Sequence, residues 1–475
     1  MQASADQADV APSSAWLADV DGDDRAELIQ VCVTCHQIPA PEMRAYATAI
    51  AEVEGADPAL VRERSWAMVV QHMSYLSLEM FGAGNPDAAL TPGEDFSYGV
   101  ADEDGALRIL TEHFTGAMDA MEGYAYGAPV IADADTVIRE YEIPEPNAVR
   151  EAILVDDTLW VADVNSSNMI RVDVVSGEQG IVPVPSDLPV GPHSMHRGAD
   201  DTVWVTPLYN GQVSRLDPAT EEWSSWVLTN EAGRPIGIHD LSFGSEHELL
   251  TDADGRVWYS DIGGNGVGYF DPATGEAVSY PVPDVDGRPR QGSQVYGFAM
   301  ESDRETVWYS QLMIGVFGSF NTETLEFEDM VVLPSSDAGP RRMTISDEDV
   351  LYVPLFGAGQ LVEYDTRTKE MATYDLPDRG AAPYAATWDD VRKVVWIPTS
   401  NADAIYRFDP ATKEFGVLPL PRQRAFTRMV TVEETTGDLV SSYANIHERV
   451  RGPRMAFTIH LGDDYLAQAA MQAGE

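Results

Sequence analysis

A tryptophan-bearing strand recurs along the chain, and its spacing constrains the fold more than any other feature. Asp201-Thr-Val-Trp204-Val-Thr, Gly255-Arg-Val-Trp258-Tyr-Ser and Glu305-Thr-Val-Trp308-Tyr-Ser are joined by Asp157-Thr-Leu-Trp160-Val-Ala and Lys393-Val-Val-Trp396-Ile-Pro. Tyr352 and Leu439 fill the same place in two more units. A second strand then closes on an acidic turn, Asp217-Pro-Ala-Thr, Asp271-Pro-Ala-Thr or Asp409-Pro-Ala-Thr, with looser copies at Asp173, Asn321 and Asp365. Asx carboxyls and proline rings initiate such turns by local hydrogen bonding and a preset φ. Units of roughly 45 residues have the length of one four-stranded propeller blade. Seven of them predict an all-β propeller over residues 131–465.

Two units depart from the pattern. The third is lengthened by Gly244-Ser-Glu-His-Glu-Leu-Leu, and the seventh, from about Arg424, lacks a regular outer strand. Val137-Ile-Arg-Glu-Tyr-Glu-Ile-Pro144 matches the outer strands of other units, such as Glu276-Ala-Val-Ser-Tyr-Pro-Val-Pro283. The strand 137–144 is therefore expected to complete the last blade, leaving no free edge to aggregate. Residues 466–475 read as a tail.

Upstream stands Cys32-Val33-Thr34-Cys35-His36, a Cys-x-x-Cys-His pentapeptide, and these are the only two cysteines in 475 residues. That spacing is the attachment site of c-type haem, each thiol adding to a vinyl group and the histidine ligating iron. A structural zinc site needs more Cys or His at matched spacing, and a thioredoxin-like pair has no use for the histidine. Covalent haem implies attachment outside the cytoplasm, hence a periplasmic or other extracytoplasmic location. Met1 to Ser14 carries no basic region or apolar core, so it reads as a disordered segment of a form whose signal peptide is gone. Nothing approaches the roughly 20 apolar residues of a membrane span.

Helical patterns cover Asp23 to Val33, about Pro58 to Met80, and Ala106 to Met121, broken by Gly82-Ala-Gly-Asn-Pro86 and Thr91-Pro-Gly93. This arrangement over residues 15–130 resembles a class I cytochrome c domain, whose first and last helices cross. The resemblance implies a sixth iron ligand. Met73 is the choice, because Trp66-Ala-Met-Val-Val-Gln-His-Met73 is similar to the methionine-bearing helix of single-haem domains. Met68, Met80, Met118, Met121 and His72 are the alternatives. The predicted fold class is thus multidomain, a small all-α cytochrome c domain followed by the propeller.

The chain has 78 acidic and 30 basic residues, a formal net charge of −48. Such a field excludes nucleic acid and anionic lipid as partners and suits either solubility in salt or a basic redox partner protein.

The blades resemble the streptogramin (virginiamycin B) lyase family of seven-bladed propellers, most closely at Gly233-Arg-Pro235-Ile-Gly-Ile and Asp254-Gly-Arg-Val-Trp-Tyr-Ser. In that family the chemistry rests on a Pro-His pair in one blade and Glu-Pro-His in the next, with magnesium nearby. Here Gly191-Pro192-His193 supplies the first, whereas Arg234-Pro235-Ile236 stands where the second is expected, so lyase activity is disfavoured. At the place of His193 the other blades put Val149, Ile236, Tyr296, Arg341, Tyr384 and Phe426, with His196 and His239 equivalent to each other and Arg341-Arg342 beside the ring. His193, His196, His239, Arg341 and Tyr384 are the candidate channel residues, for a small anion or a second metal such as copper. The alternative is structural: His196 and His239 bonding between blades, and the arginines pairing with Asp163 and Asp261.

The resulting expectation is an exported single-haem cytochrome with a lyase-like propeller, acting in electron transfer as an oxidoreductase or redox-complex subunit. A docking scaffold and a C–O lyase are the alternatives. A d-haem nitrite reductase would need an eighth blade. The copper cluster of a nitrous oxide reductase would need seven propeller histidines, against His193, His196, His239, His247, His447 and His460 here.

Overall fold

The computed structural model describes residues 130–131, 135–144, 149–164, 166–208, 210–244, 248–285, 287–288, 293–444 and 454–472, and upstream residues 14, 17, 20, 22–33, 37–38, 63, 65–71, 73 and 103–113. Seven antiparallel sheets follow one another along the chain, each built outward from a short inner strand. The inner strands are Val149–Val155, Pro192–Gly198, Ile238–Leu241, Val295–Met300, Thr344–Ile345, Thr387–Asp389 and Val430–Val432, which number blades 1 to 7. Inner and second strands are buried nearly throughout, while outer ones such as Glu222–Val227 alternate or lie exposed. That gradient follows from sheets packing face to face around an axis, where only the outermost strands meet water.

Blade 7 is ordered Val137–Glu142, Met455–His460, Leu439–Ser442, Val430–Val432, so its outer strand comes from the start of the propeller. Val137 faces His460 and Glu142 faces Met455 in an unbroken antiparallel register. Arg422 and the Tyr443 hydroxyl both bind the Glu140 carboxylate from the last two blades, at 3.0 and 2.9 Å. The lengthened third unit has a use as well. Glu248–Leu249 runs parallel to Arg197–Gly198 and adds a fifth strand to blade 2.

The repeated residues act as the repeat requires. Trp160, Trp204, Trp258, Trp308 and Trp396 are each at most 5% exposed, between neighbouring blades. Three of the indoles donate to an acid that precedes them in their own blade, Trp258 to Asp252, Trp308 to Glu301 and Trp396 to Asp389, at 2.7 to 3.0 Å. Each acidic turn is an Asx turn: the first side-chain oxygen of Asp173, Asp217, Asp271, Asn321, Asp365 and Asp409 accepts the amide two residues on. Amide bonds within the turns, from Ser176, Ala219, Ala273 and Thr368 foremost, hold the Asp173, Asp217, Asp271 and Asp365 carboxyls below the usual carboxylate range. A carboxyl depressed in the folded state stabilises above its unfolded value and loses that effect as pH falls through its folded one. The turns therefore loosen only in acid.

Helix α1 (Gly22–Cys32) and helix α2 (Glu103–His113) pack together upstream, where Arg108 holds Asp24 at 2.7 Å. Residues 65–71 and 73 are helical too. Leu28, Ile29, Val33, Trp66, Val70, Ala106, Ile109 and Leu110 form one buried cluster with Tyr296, Phe356, Tyr384, Phe426 and Ala444 of the propeller. The N-terminal segment thus covers the mouth at which the inner strands begin. Polar bonds fix it there: Gln30 Nε2 donates to Leu312 O (2.9 Å), Gln37 Nε2 to Asp403 (2.8 Å) and the Ile38 amide to Asn401 Oδ1 (2.7 Å). Gly380 permits the approach, since a Cβ there would lie 2.5 Å from Ser14 O.

Two boundaries differ from the expectation. Ser14, read as the end of a disordered segment, is buried, and its amide donates to Asn401 O. The tail carries helix α3 (Tyr465–Gln472), anchored by Tyr465 under the Arg392 guanidinium at 4.5 Å. Asn401→Ala removes the acceptor for the buried Ile38 amide, a cost of about 1–3 kcal/mol. The expected result is faster proteolytic cleavage around residues 14–38 with an intact propeller; unchanged cleavage would contradict the docking.

Candidate functional site

A recurrent hydrogen bond aligns the blades at the mouth. The amides of Leu208, Ile262, Leu312, Phe356, Ser400 and Ala444 donate to the carbonyls of Gly191, Gly237, Gln294, Gly339, Ala382 and Phe426. Two residues past each acceptor stand His193, His239, Tyr296, Arg341, Tyr384 and Arg428. In blade 1, Val149 opposes Asp163 as Pro192 opposes Pro207, which puts Arg150 in that place. The ring is therefore Arg150, His193, His239, Tyr296, Arg341, Tyr384 and Arg428, all at most 5% exposed.

Three positions correct the sequence reading: Arg150 replaces Val149, His239 replaces Ile236, and Arg428 replaces Phe426. His239 is thus the counterpart of His193, not of His196. The cause is local. Blades 1 to 4 carry an irregularity in register beside the ring, between Val149 and Ala152, Pro192 and Met195, Ile238 and Leu241, and Val295 and Phe298. A bulge re-aims a side chain without leaving a composition signal.

The ring is bonded around most of its circumference. Arg150 Nη2 donates to His193 Nε2 (2.7 Å), and His193 Nδ1 bonds Ser194 Oγ (3.0 Å). The His193 and His239 rings meet edge to face at 4.9 Å, and His239 lies 3.7 Å from the Tyr296 ring. His239 Nδ1 donates to Tyr296 O, which leaves Nε2 a buried lone pair with no hydrogen-bond partner. The Tyr296 and Tyr384 hydroxyls bond each other, and Arg428 Nη1 donates to the Tyr384 hydroxyl at 2.7 Å. The Arg341 guanidinium lies 3.6 Å from the Phe356 ring centre, 4.4 Å from that of Tyr384 and 5.3 Å from that of Tyr296.

One residue deeper is a separate ionic tier. Arg342 pairs with Glu151, reaches Asp240 at 3.7 Å and donates to Ser194 Oγ, while Asp240 also holds His196 Nε2 at 2.8 Å. His196 is thus the inter-blade bonder of the structural alternative. The arginines do not pair with Asp163 or Asp261 as that alternative had it; Asp163 binds Ser166 and Asp261 binds Ser279. Neighbours in sequence, Arg341 and Arg342 have different surroundings.

Protonation follows from this crowding. Burial, then the Arg150 charge, pushes His193 well below the ordinary imidazole range, and burial, then Arg342, does the same to His239. Both are neutral imidazoles. Burial and then Arg428 lower Arg150 to about 10. Burial alone would raise Tyr384, but Arg428, Arg341, Arg150 and Arg342 override it and bring the phenol down to about 7. Its partner Tyr296 is pushed up by burial and by the Tyr384 charge.

Of the expected haem residues, Cys32 is half-buried at the end of α1 against the apolar cluster, and Met73 is half-buried and helical. Met68 is 66% exposed. Cys35, His36, His72, Met80, Met118 and Met121 lie outside the described residues.

No protein-family model matches the chain, and no curated protein matches it in sequence. Solved structures do. A streptogramin B lyase structure superposes with a TM-score of 0.56 at 17% identity, covering 68% of this chain and 97% of that one. A virginiamycin B lyase from Staphylococcus aureus gives 0.56 at 15%, covering 69% and 99%. A catalytically inactive form of that lyase with quinupristin gives 0.55 at 14%, covering 69% and 99%. At these identities the likeness is one of fold: the all-β part of this chain is a seven-bladed propeller similar to that of the streptogramin B lyases.

Proposed function

We propose that this chain is an exported c-type cytochrome whose propeller is a substrate-binding module, acting in periplasmic electron transfer as an oxidoreductase or redox-complex subunit. One observation carries the reading: the helix that bears Cys32 is packed on the mouth that contains the ring, within one buried cluster. Two thiols, an imidazole and a thioether are the donor set of covalent haem. The residues fit that group, since Cys32 adjoins an apolar wall that includes Trp66 and Val70, and Met73 follows Val70 by one helical turn. Cys32 and Cys35 would hold the macrocycle, and His36 and Met73 the iron. Bound there, haem supplies a one-electron iron couple. The chain's own part is to exclude water at the mouth and to hold charged donors beneath it, which a mere docking platform does not need.

Expressed with export and haem-attachment machinery, the full chain is expected to carry one haem that survives denaturation. Cys32→Ser with Cys35→Ser should abolish it. Met73→Ala should remove the weak charge-transfer band of methionine-ligated ferric haem. Loss of that band in Met80→Ala instead would move the ligand to Met80, and a chain without covalent haem in such a host would refute the reading.

Lyase chemistry is not the reading adopted. His239 restores the second histidine, but Gly237-Ile238 precedes it where the family has Glu-Pro, and Arg150 engages His193 Nε2. Purified protein with magnesium should leave streptogramin lactones intact; turnover lost in His193→Ala would reverse this.

A further inference from the structure

The ring holds more positive charge than its neighbours neutralise. Arg342 is matched by Glu151 and Asp240. Arg150 and Arg341, 5% and 1% exposed, have no carboxylate within ion-pair distance among the described residues, and Nε and Nη1 of each lack a hydrogen-bond partner. Buried charges are ordinarily paired, because an unpaired one forfeits its hydration for nothing. Arg341 is also oriented: aromatic rings lie against its guanidinium, so its N–H edge is what remains for an acceptor. Forked N–H donors match planar oxyanions in geometry as well as charge. Arg150 occupies His193 Nε2, which takes that nitrogen away from any metal.

We infer that the ring binds a small planar oxyanion, a carboxylate or an inorganic ion of that shape, held by Arg150 and Arg341 and taken up with a proton on Tyr384. The neutral imidazole of His239, with its free Nε2, borders the same space. A cleft lined by Ile153, Met195, His196, Arg197, Met429 and Glu434 opens at the far ends of the inner strands, spanned by an Arg197–Glu434 pair at 3.3 Å.

The proton enters because Tyr384 and the anion answer the same charge. Tyr384 faces Tyr296 from blade 4, Arg341 and Arg342 from blade 5, Arg428 from blade 7 and Arg150 from blade 1, with apolar side chains of the N-terminal segment above it. Its phenolate, present above about pH 7, competes with a bound anion for these arginines. Protonation removes the competitor, so binding strengthens as pH falls.

The test is calorimetric titration of the full-length protein with formate and with nitrate, at ionic strength held constant with chloride. No haem absorbance is read, so the outcome is independent of the cytochrome reading. Saturable binding is expected, tighter at pH 6 than at pH 8 by about tenfold, with proton uptake at the higher pH. Arg341→Gln should weaken it at least tenfold, and Tyr384→Phe should keep it while flattening the pH dependence. Absence of saturable binding overturns the inference, as does affinity unchanged in Arg341→Gln or a pH dependence that persists in Tyr384→Phe. Arg150→Gln repeats the arginine arm should Arg341→Gln fail to fold.

Discussion

Arg342→Met is expected to lower the unfolding free energy by about 3–5 kcal/mol, the usual cost of removing one partner from a buried ionic network. Arg342, Glu151 and Asp240 are 2%, 3% and 1% exposed, and one guanidinium serves both carboxylates and Ser194. Without it two buried negative charges share one site, with His196 left as the neighbour of Asp240. Burial and then Glu151 are the largest influences on Arg342, and the acids prevail, holding it in its charged form. Denaturant midpoints of the two proteins at neutral pH form the comparison. Arg342→Lys restores the charge but not the fork and should recover part of the loss. A change under about 1 kcal/mol would mean that water compensates these acids.

The second large effect is expected at Gly297. A Cβ on this residue would lie 2.2 Å from Arg341 O and 2.7 Å from the Arg342 Cα. These are backbone atoms of the adjacent blade and cannot turn aside as a side chain can. Gly297→Ala therefore forces blades 4 and 5 apart, with a cost of about 1–3 kcal/mol or more. Because the strain falls on the segment that carries both arginines, anion affinity should drop together with stability. Gly275→Ala serves as the control, since no atom lies within 4 Å of its added Cβ, although its positive φ brings a modest cost of its own. Equal losses in the two variants would show that backbone conformation, not blade contact, is responsible.

The periodic features of the fold were legible because each blade solves the same packing problem. Trp204, Trp258 and Trp308 recur because an inter-blade gap of constant width takes an indole, and Asp217, Asp271 and Asp409 because an Asx turn must cap each hairpin. The site was less legible because it depends on where the period fails. Arg341 and Tyr384 were placed correctly in blades 5 and 6, whose register is regular, and His193 and Tyr296 despite a shift beside them. Arg150, His239 and Arg428 were missed by one to three residues, and one residue in a strand turns a side chain to the other face. Arg428 carries a signal of its own: it is one of 30 basic residues against 78 acidic ones, and stands two residues past Phe426. The division between Arg341 and Arg342 had no signal in sequence, since it depends on Glu151, a residue 191 positions away.

The closing strand has a bearing on the order of assembly. Val137–Glu142 pairs with Met455–His460, and the Glu140–Tyr443 bond alone spans 303 positions. Pairings of such long range form late, after local hairpins have condensed. The apolar wall that receives α1 is itself composed of residues from Ile262 to Ala444, so during synthesis α1 precedes all of its docking surface. Cys32 therefore passes through a period in which no propeller exists to pack against it. A permuted chain that began inside blade 1 and delivered α1 last would present Cys32 to a finished mouth.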